Sequence, residues 1–355
     1  MTPNERARAL VLEHGWNAAS YQILNPGMSL WFNHNSTAVS GYVEQHGVRV
    51  VAGVPVCPAD ELSAAVAELE RDAHSAGCDV AYFAVEERAA ALWQTRPDWN
   101  VVVIGAQPVW RPAALVRTIA SHKSLRAQLK RAAAKGVIVE EWSSARAQES
   151  RELRACLDEW LALRALPPLH FLVESDTLPN LQDRRVLVAC RNAAVVGFLV
   201  ATPMPLRNGW LVEQNIRGAR APNGTSESLL YAAARMLADA GADIITLGLS
   251  PLSKHAPLSV REPPRFVRAL FAWLRVHGRR FYNFEGLDTF KAKFRPEQWE
   301  PIYAVVGTGT HTLRALVAFG AAFGGTSAAP FIGTVMQHAL EQELERVKNW
   351  KRTRS

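Results

Sequence analysis

Apolar and polar residues alternate through positions 38–56, AVSGYVEQHGVRVVAGVPV, with a turn signal at QHG, so two paired strands are expected there. The period then changes. In ADELSAAVAELERDAHSAG, Leu62, Val66 and Leu69 fall on one side of a helix and Gly77 ends it. DVAYFAV (79–85) reads as a buried strand, a short helix follows, and NVVVIG (100–105) is another strand. Strand, helix and strand in this order place helices against a sheet.

The second half repeats the alternation. A helix is expected in ESRELRACLDEWLALRAL (149–166), followed by the loop PPLHFLVESDTLP. RVLVAC and VVGFLVATP form a hairpin turning at RNAA, and GWLVEQNI (209–216) is a third strand. APNGTSESLL (221–230) opens a helix that runs to Ala240 and stops at Gly241. A strand DIITLGL (243–249), a helix near PRFVRALFAWLRVHG (264–278), an amphipathic stretch and a closing strand complete it. Hairpin, strand, loop, helix, strand, helix, strand is the order of a Gcn5-related acyltransferase (GNAT) fold. The first half reads as a degenerate version of it, giving an α/β (α+β) protein of tandem GNAT-like folds.

Length and charge sharpen this picture. The 355 residues suffice for two domains, and 48% hydrophobic with 21% charged residues is a globular composition. The net charge of +7 favours anionic partners. Much of it is concentrated: from Arg111 to Val139 there are seven Lys or Arg residues and no acid. The centre, SHKSLRAQLKRAAAKG (121–136), reads as a helix capped by Ser121 or Ser124, striped by Leu125, Leu129 and Ala132, and ended by Gly136. Its surface cations, Lys123, Arg126, Lys130 and Arg131, suit a nucleic-acid backbone or anionic lipid headgroups, because ordinary surface helices interleave both signs.

Other chemistry is excluded by spacing. Cys57, Cys78, Cys156 and Cys190 form no CxxC pair and read as buried thiols of a reducing compartment. The histidines have no HExxH spacing, and there is no P-loop or GxGxxG, so neither metal nor cofactor is expected. The N-terminus has no long apolar core behind its charges, so no signal peptide is expected. Residues 315–336 are uncharged, but GGTSAAP interrupts them. An interfacial or partly buried amphipathic segment is expected in preference to a membrane span, with two short packed helices as the alternative. The basic stretch 261–280 carries Phe266, Leu270, Trp273 and Leu274 on one stripe, expected as the core side of a packed helix, with docking on a membrane surface as the alternative.

The stretch RGARAPNGTSE offers an anion site. Helix starts expose unpaired N–H groups and a partial positive charge, and glycine permits close approach. Arg217 and Arg220 add charge, Thr225 a hydroxyl, and Asn223 tolerates left-handed angles; Glu227 favours the helix dipole. The alternative is a helix cap made by Thr225 or Ser226 with the arginines solvated.

RGARAPNGTSESLLYAAARMLADAGADIITLGLSPLS and FYNFEGLDTFKAKFRPEQWEPIYAV resemble the C-terminal catalytic domain of the bacterial aminoacyl-phosphatidylglycerol synthases, also called multiple peptide resistance factors or lysylphosphatidylglycerol synthetases. IGAQPVW and HKSLRAQLKRAAAKGV resemble it too, so the likeness covers roughly residues 38–306. It implies an N-terminal GNAT-like domain (1–120), a basic connecting helix (121–136), a catalytic GNAT-like domain (137–307) and an apolar and basic tail (308–355). It also implies transfer of an amino acid from aminoacyl-tRNA to a hydroxyl of phosphatidylglycerol or a similar polar lipid. Partners would then be aminoacyl-tRNA and an anionic membrane surface, with the protein peripheral at the inner face of the cytoplasmic membrane. Site residues implied are Arg217, Asn223, Gly224, Thr225 and Glu227, Ser250 and Ser253 of GLSPLS, and Lys291 and Lys293 of FKAKF. Many members carry an acid just before the arginine; here the stretch is VEQNIR, and Glu213 is the nearest carboxylate and the candidate general base. The multi-helix flippase domain of full-length members is absent from this sequence. Competing readings are transfer from an acyl-CoA or acyl-carrier-protein thioester, tRNA-dependent transfer to a soluble acceptor, and a binding protein without activity. RGARAPNGT lacks the two-glycine Q/R-x-x-G-x-G/A spacing of coenzyme A loops.

Overall fold

The computed structural model describes residues 1–163, 171–257 and 284–324. The helix expected at 264–278 therefore lies outside the described residues. The chain opens with helix α1 (Pro3–His14), started by a capping box in which Thr2 and Glu5 bond each other's amides. Strand β1 (Ser29–Phe32) is followed by the hairpin of β2 (Val39–Gln45) and β3 (Val48–Ala52). His46 and Gly47 both hold positive φ at its turn, as a two-residue hairpin requires. Then come α2 (Leu62–Ser75), β4 (Asp79–Glu86), α3 (Glu87–Gln94), β5 (Trp99–Trp110), α4 (Pro112–Ser121) and α5 (Lys123–Ala134).

In the second half β6 (Val137–Trp142) leads to α6 (Ser144–Glu149) and α7 (Arg151–Ala162). The single helix expected at 149–166 thus starts later, at Arg151, because Ser150 caps α7 through the Leu153 amide. β7 (Arg185–Arg191) and β8 (Ala194–Met204) turn at Asn192 and Ala193, both with positive φ. β9 (Gly209–Arg217), α8 (Thr225–Asp239), β10 (Ile244–Thr246), β11 (Ser250–Pro251), α9 (Phe284–Ala292), β12 (Gln298–Gly307) and α10 (Thr310–Gly324) complete the described chain. The strand expected over 243–249 is shortened to β10, and the separate β11 follows beyond Gly248, which holds φ +68°.

All strands join one sheet in the order β1-β2-β3-β4-β12-β5-β10-β9-β8-β7-β6, with β11 beside β5. Two parallel pairs stand out in an otherwise antiparallel sheet: β3 with β4 across α2, and β9 with β10 across α8. Each is a strand–helix–strand unit preceded by a hairpin, so the two halves repeat one topology, the tandem GNAT-like fold. The closing strand does not pair with the half that precedes it. β12 lies between β4 and β5, and the end of β5 pairs with β10, so each half borrows a strand from the other.

Among the described residues, four large apolar clusters cover the faces of this sheet. In the first half, α1 and α10 contribute Val11, Ala318 and Phe319 to one side, while α2 and α3 contribute Leu69 and Trp93 to the other. In the second half, α4, α5 and α8 place Leu115, Leu125, Leu229 and Leu230 on one face. α7 covers the opposite face with Leu153 and Leu157. Residues 315–324 of the uncharged segment belong to the packed helix α10, whose Ala315, Ala318 and Ala322 are buried; the rest of that segment lies outside the described residues. Among the described residues no helix is long and apolar enough to cross a membrane.

Candidate functional site

The parallel pairing of β9 and β10 ends at Leu211, beyond which β9 continues toward the α8 start without β10 beside it. At that point β9 carries a bulge. Val200 of β8 faces Gln214 and Ala201 faces Val212, so Glu213 is skipped. The bulge sends two consecutive side chains toward the 171–184 segment. Gln214 bonds Thr177 and the carbonyls of Glu174 and Ser175, and Glu213 accepts from Arg184 Nε at 3.0 Å. The Glu213 and Arg184 side chains are 6% and 1% exposed, and Arg184 also donates to Asn25 Oδ1 and Asn180 O. Glu213 is thus held in a buried ion pair.

Beyond the bulge, Arg217 emerges exposed and reaches Asn223 Oδ1 at 3.4 Å. Arg220 is exposed with Glu159 at 3.5 Å. Gly224 precedes α8 at φ +96°, and a Cβ there would lie 2.1 Å from the Gln128 carbonyl oxygen. The glycine is required by α5, which packs directly on the bend. Thr225 is fully buried and donates to Pro222 O at 2.7 Å. The amides of Ser226 and Glu227 have no partner among the described residues. Ser121 and Ser124 do not cap α5: His122 takes the N-cap position without a side-chain bond, and its ring reaches Ser124. Lys123, Arg126, Lys130 and Arg131 all lie exposed on α5, and none has a carboxylate partner among the described residues. Arg126 reaches Ser121 O and Arg131 reaches Gln128 Oε1.

A second cluster forms where the chain breaks between β10 and β11. Lys291, on the inward side of α9, donates to the carbonyls of Gly248 and Leu249 at 2.8 and 2.9 Å. Burial pushes its ammonium down to about 7, opposed by the nearby Asp288. Ser250 is fully buried and its Oγ has no hydrogen-bond partner among the described residues. Ser253 Oγ accepts from the His255 amide. The His255 ring stacks on Trp299 at 4.4 Å, and its buried Nε2, 3.8 Å from Asp288 Oδ2, has no hydrogen-bond partner among the described residues. Lys293 turns the other way: its ammonium lies over the Phe290 ring and pairs with Glu227 at 2.8 Å, which ties α9 to the first turn of α8.

The structure therefore gathers Ser250, Ser253 and Lys291 at one place and Arg217, Asn223, Gly224 and Thr225 at another, with Glu227 and Lys293 between helices α8 and α9. Glu213 stands apart with Arg184. His255, Asp288 and Trp299 escape a sequence reading because they carry no motif spacing and meet only through the fold. So does a buried network across the middle of the sheet. Gln107 of β5 donates to Glu86 and Glu300, Arg207 from the turn before β9 pairs with Glu300, and burial raises the Glu86 carboxyl to about 7. Burial also pushes the Cys57 and Cys156 thiols up to about 11, which suits inert core thiols. No cluster of His, Cys, Asp or Glu among the described residues could hold a metal ion.

Comparison with known proteins places the fold among solved structures. The solved C-terminal domain (DUF2156) of a protein assigned as a lysylphosphatidylglycerol synthetase from Agrobacterium fabrum superposes with TM-score 0.76 at 23% identity, covering 91% of this chain and 97% of that one. L-PGS from Bacillus licheniformis gives 0.73 at 21% identity, covering 90% and 97%. FemX gives 0.54 at 8% identity, covering 87% and 97%, which extends the likeness of fold to more distant chains. No curated protein matches the chain in sequence. The sequence model described as "Phosphatidylglycerol lysyltransferase, C-terminal" matches residues 8–306, so the chain belongs to that family.

Proposed function

We propose that this chain is an acyltransferase that moves an amino acid from aminoacyl-tRNA to a hydroxyl of phosphatidylglycerol or a similar polar lipid, working at the inner face of the cytoplasmic membrane. The observation that carries this reading over a thioester donor is the contact between Gly224 and the Gln128 carbonyl. A coenzyme A loop needs its glycines open to the pyrophosphate, and here the bend is filled by α5. What α5 turns outward is a set of cations without acidic partners among the described residues, suited to a polyanion. Membership of the family supports the aminoacyl group and the lipid acceptor.

The reaction is an ester exchange. The acceptor hydroxyl gives its proton to a base and attacks the aminoacyl carbonyl carbon. The tetrahedral adduct then expels the 3′-terminal ribose oxygen, which takes up a proton. Lys291 suits both transfers. As a neutral amine it keeps two N–H groups for the Gly248 and Leu249 carbonyls and offers its lone pair to the hydroxyl. Ser250 Oγ, buried and unpartnered, is free to donate to the carbonyl oxygen as negative charge develops. Glu213, neutralised by Arg184, acts in this scheme as a support for the bulged strand, while Arg217 and Arg220 offset donor phosphates.

The test is transfer of a labelled amino acid into chloroform-soluble material. It should require charged tRNA and vanish after ribonuclease treatment. Activity that survives ribonuclease and depends on an acyl thioester would instead establish the coenzyme A or carrier-protein reading.

A further inference from the structure

Asp288 sits on α9 one helical turn before Lys291, on the same buried side. Its side chain is 9% exposed, and one carboxylate oxygen, Oδ1, has no hydrogen-bond partner among the described residues. Buried carboxylate oxygens are nearly always satisfied, because an unpaired one loses its hydration with nothing in return. The other oxygen faces His255 Nε2 at 3.8 Å, too far for a hydrogen bond, and that nitrogen is itself buried and unpartnered. The Trp299 ring beneath His255 fixes the imidazole plane. Ser250 Oγ, on the strand that α9 packs against, is likewise buried without a partner among the described residues.

The natural neutraliser does not fill the gap. Lys291 lies within electrostatic reach of Asp288 but gives two of its N–H groups to backbone carbonyls, and no ion pair between the two side chains forms within 4.0 Å. This buried cluster therefore holds a carboxylate oxygen, Asp288 Oδ1, that has no donor among the described residues. A small cation with several N–H groups would complement it, and an α-amino ester carries one at the atom beside its reacting carbonyl. We infer that Asp288 is the carboxylate that receives the primary ammonium of the aminoacyl group, with His255 and Ser250 as auxiliary acceptors. This inference rests on the aminoacyl-transfer reading above. It makes Asp288 a binding residue that sets the carbonyl in register with Lys291 and rejects acyl groups without a free amine.

The experiment compares the full chain with Asp288→Asn, using the aminoacyl-tRNA that the wild type transfers fastest and the same tRNA after N-acetylation. The wild type should favour the free amine by about 10–100-fold, the worth of one charge-assisted hydrogen bond. In Asp288→Asn the preference should collapse to a few-fold, through slower use of the free-amine donor alone, and Asp288→Glu should restore part of it. An unchanged preference in Asp288→Asn overturns the inference, as does a wild type that uses both donors equally. Calorimetric binding of amino-acid amides, which carry the ammonium without tRNA, is the second readout. It should weaken at least about tenfold in a folded Asp288→Asn or Asp288→Ala variant, and equal affinity overturns the inference. A wild type that transfers from neither donor, yet binds amides through Asp288, would remove the aminoacyl-transfer reading and leave the ammonium site standing.

Discussion

Lys291 is an ammonium held against two carbonyls inside the protein, and that placement makes protonation the variable to measure. Burial lowers its pKa from the ordinary lysine value to about 7, so the base form grows as pH rises through neutrality. The rate of transfer at low substrate should therefore climb between pH 6 and 8, about tenfold per unit on the acid side, and level off above. Lys291→Arg should lose most activity and this rise together, as read from kcat/KM against pH. Gly224 makes a separate prediction about stability. Any side chain there meets both a left-handed backbone and the Gln128 carbonyl, so Gly224→Ala should cost at least about 2 kcal/mol in urea unfolding. Arg217 close by is exposed, and its replacement by alanine should leave the urea midpoint nearly unchanged.

Helix α5 shows what a sequence can and cannot say about an element. Its limits, its buried Leu125 and Ala132, and its exposed cations follow from local periodicity and from Gly136 at its end. The hairpin turn at Asn192–Ala193 and the α8 helix were legible for the same reason: neighbouring residues decide them. What the helix packs on was not legible. The need for glycine at 224 arises from a carbonyl almost a hundred positions earlier, and no local pattern encodes that contact. The break between β10 and β11 was hidden because Leu247 and Leu249 are apolar on both sides of Gly248, and the carbonyls it leaves outside the ladder are taken by Lys291, more than forty positions later. As a functional element α5 gives a prediction in salt. Neutralising Lys123, Arg126, Lys130 and Arg131 together should weaken tRNA binding and lower the slope of log affinity against log salt by up to about 3–3.6, at roughly 0.7–0.9 per lost phosphate contact. An unchanged slope would place the tRNA elsewhere.

At the scale of the whole molecule the decisive feature is one sheet shared by two repeated halves. β12 contacts β4 on one side and β5 on the other, and β5 in turn reaches β10. Neither half completes its sheet alone. Unfolding should accordingly be a single transition, with calorimetric and van't Hoff enthalpies agreeing, and deletion from residue 298 onward should abolish the fold of both halves. Two separated transitions would show that the strands exchanged between halves add little. The Arg207 pairing with Glu300, which reaches from the turn before β9 to β12, reinforces the same seam.

That exchange also has a consequence for synthesis of the chain. When β5 emerges at residue 110, its partner strand is still 188 positions from being made. At ordinary elongation rates of about 5–20 residues per second, the first half waits about 10–40 s with the facing rims of β4 and β5 bare. Those rims carry Tyr82, Val85, Val101 and Val103, an adhesive surface that other nascent chains could zip onto. The order of translation therefore makes a holding chaperone most valuable in this interval, and slowing the ribosome downstream of β5 should raise the insoluble fraction.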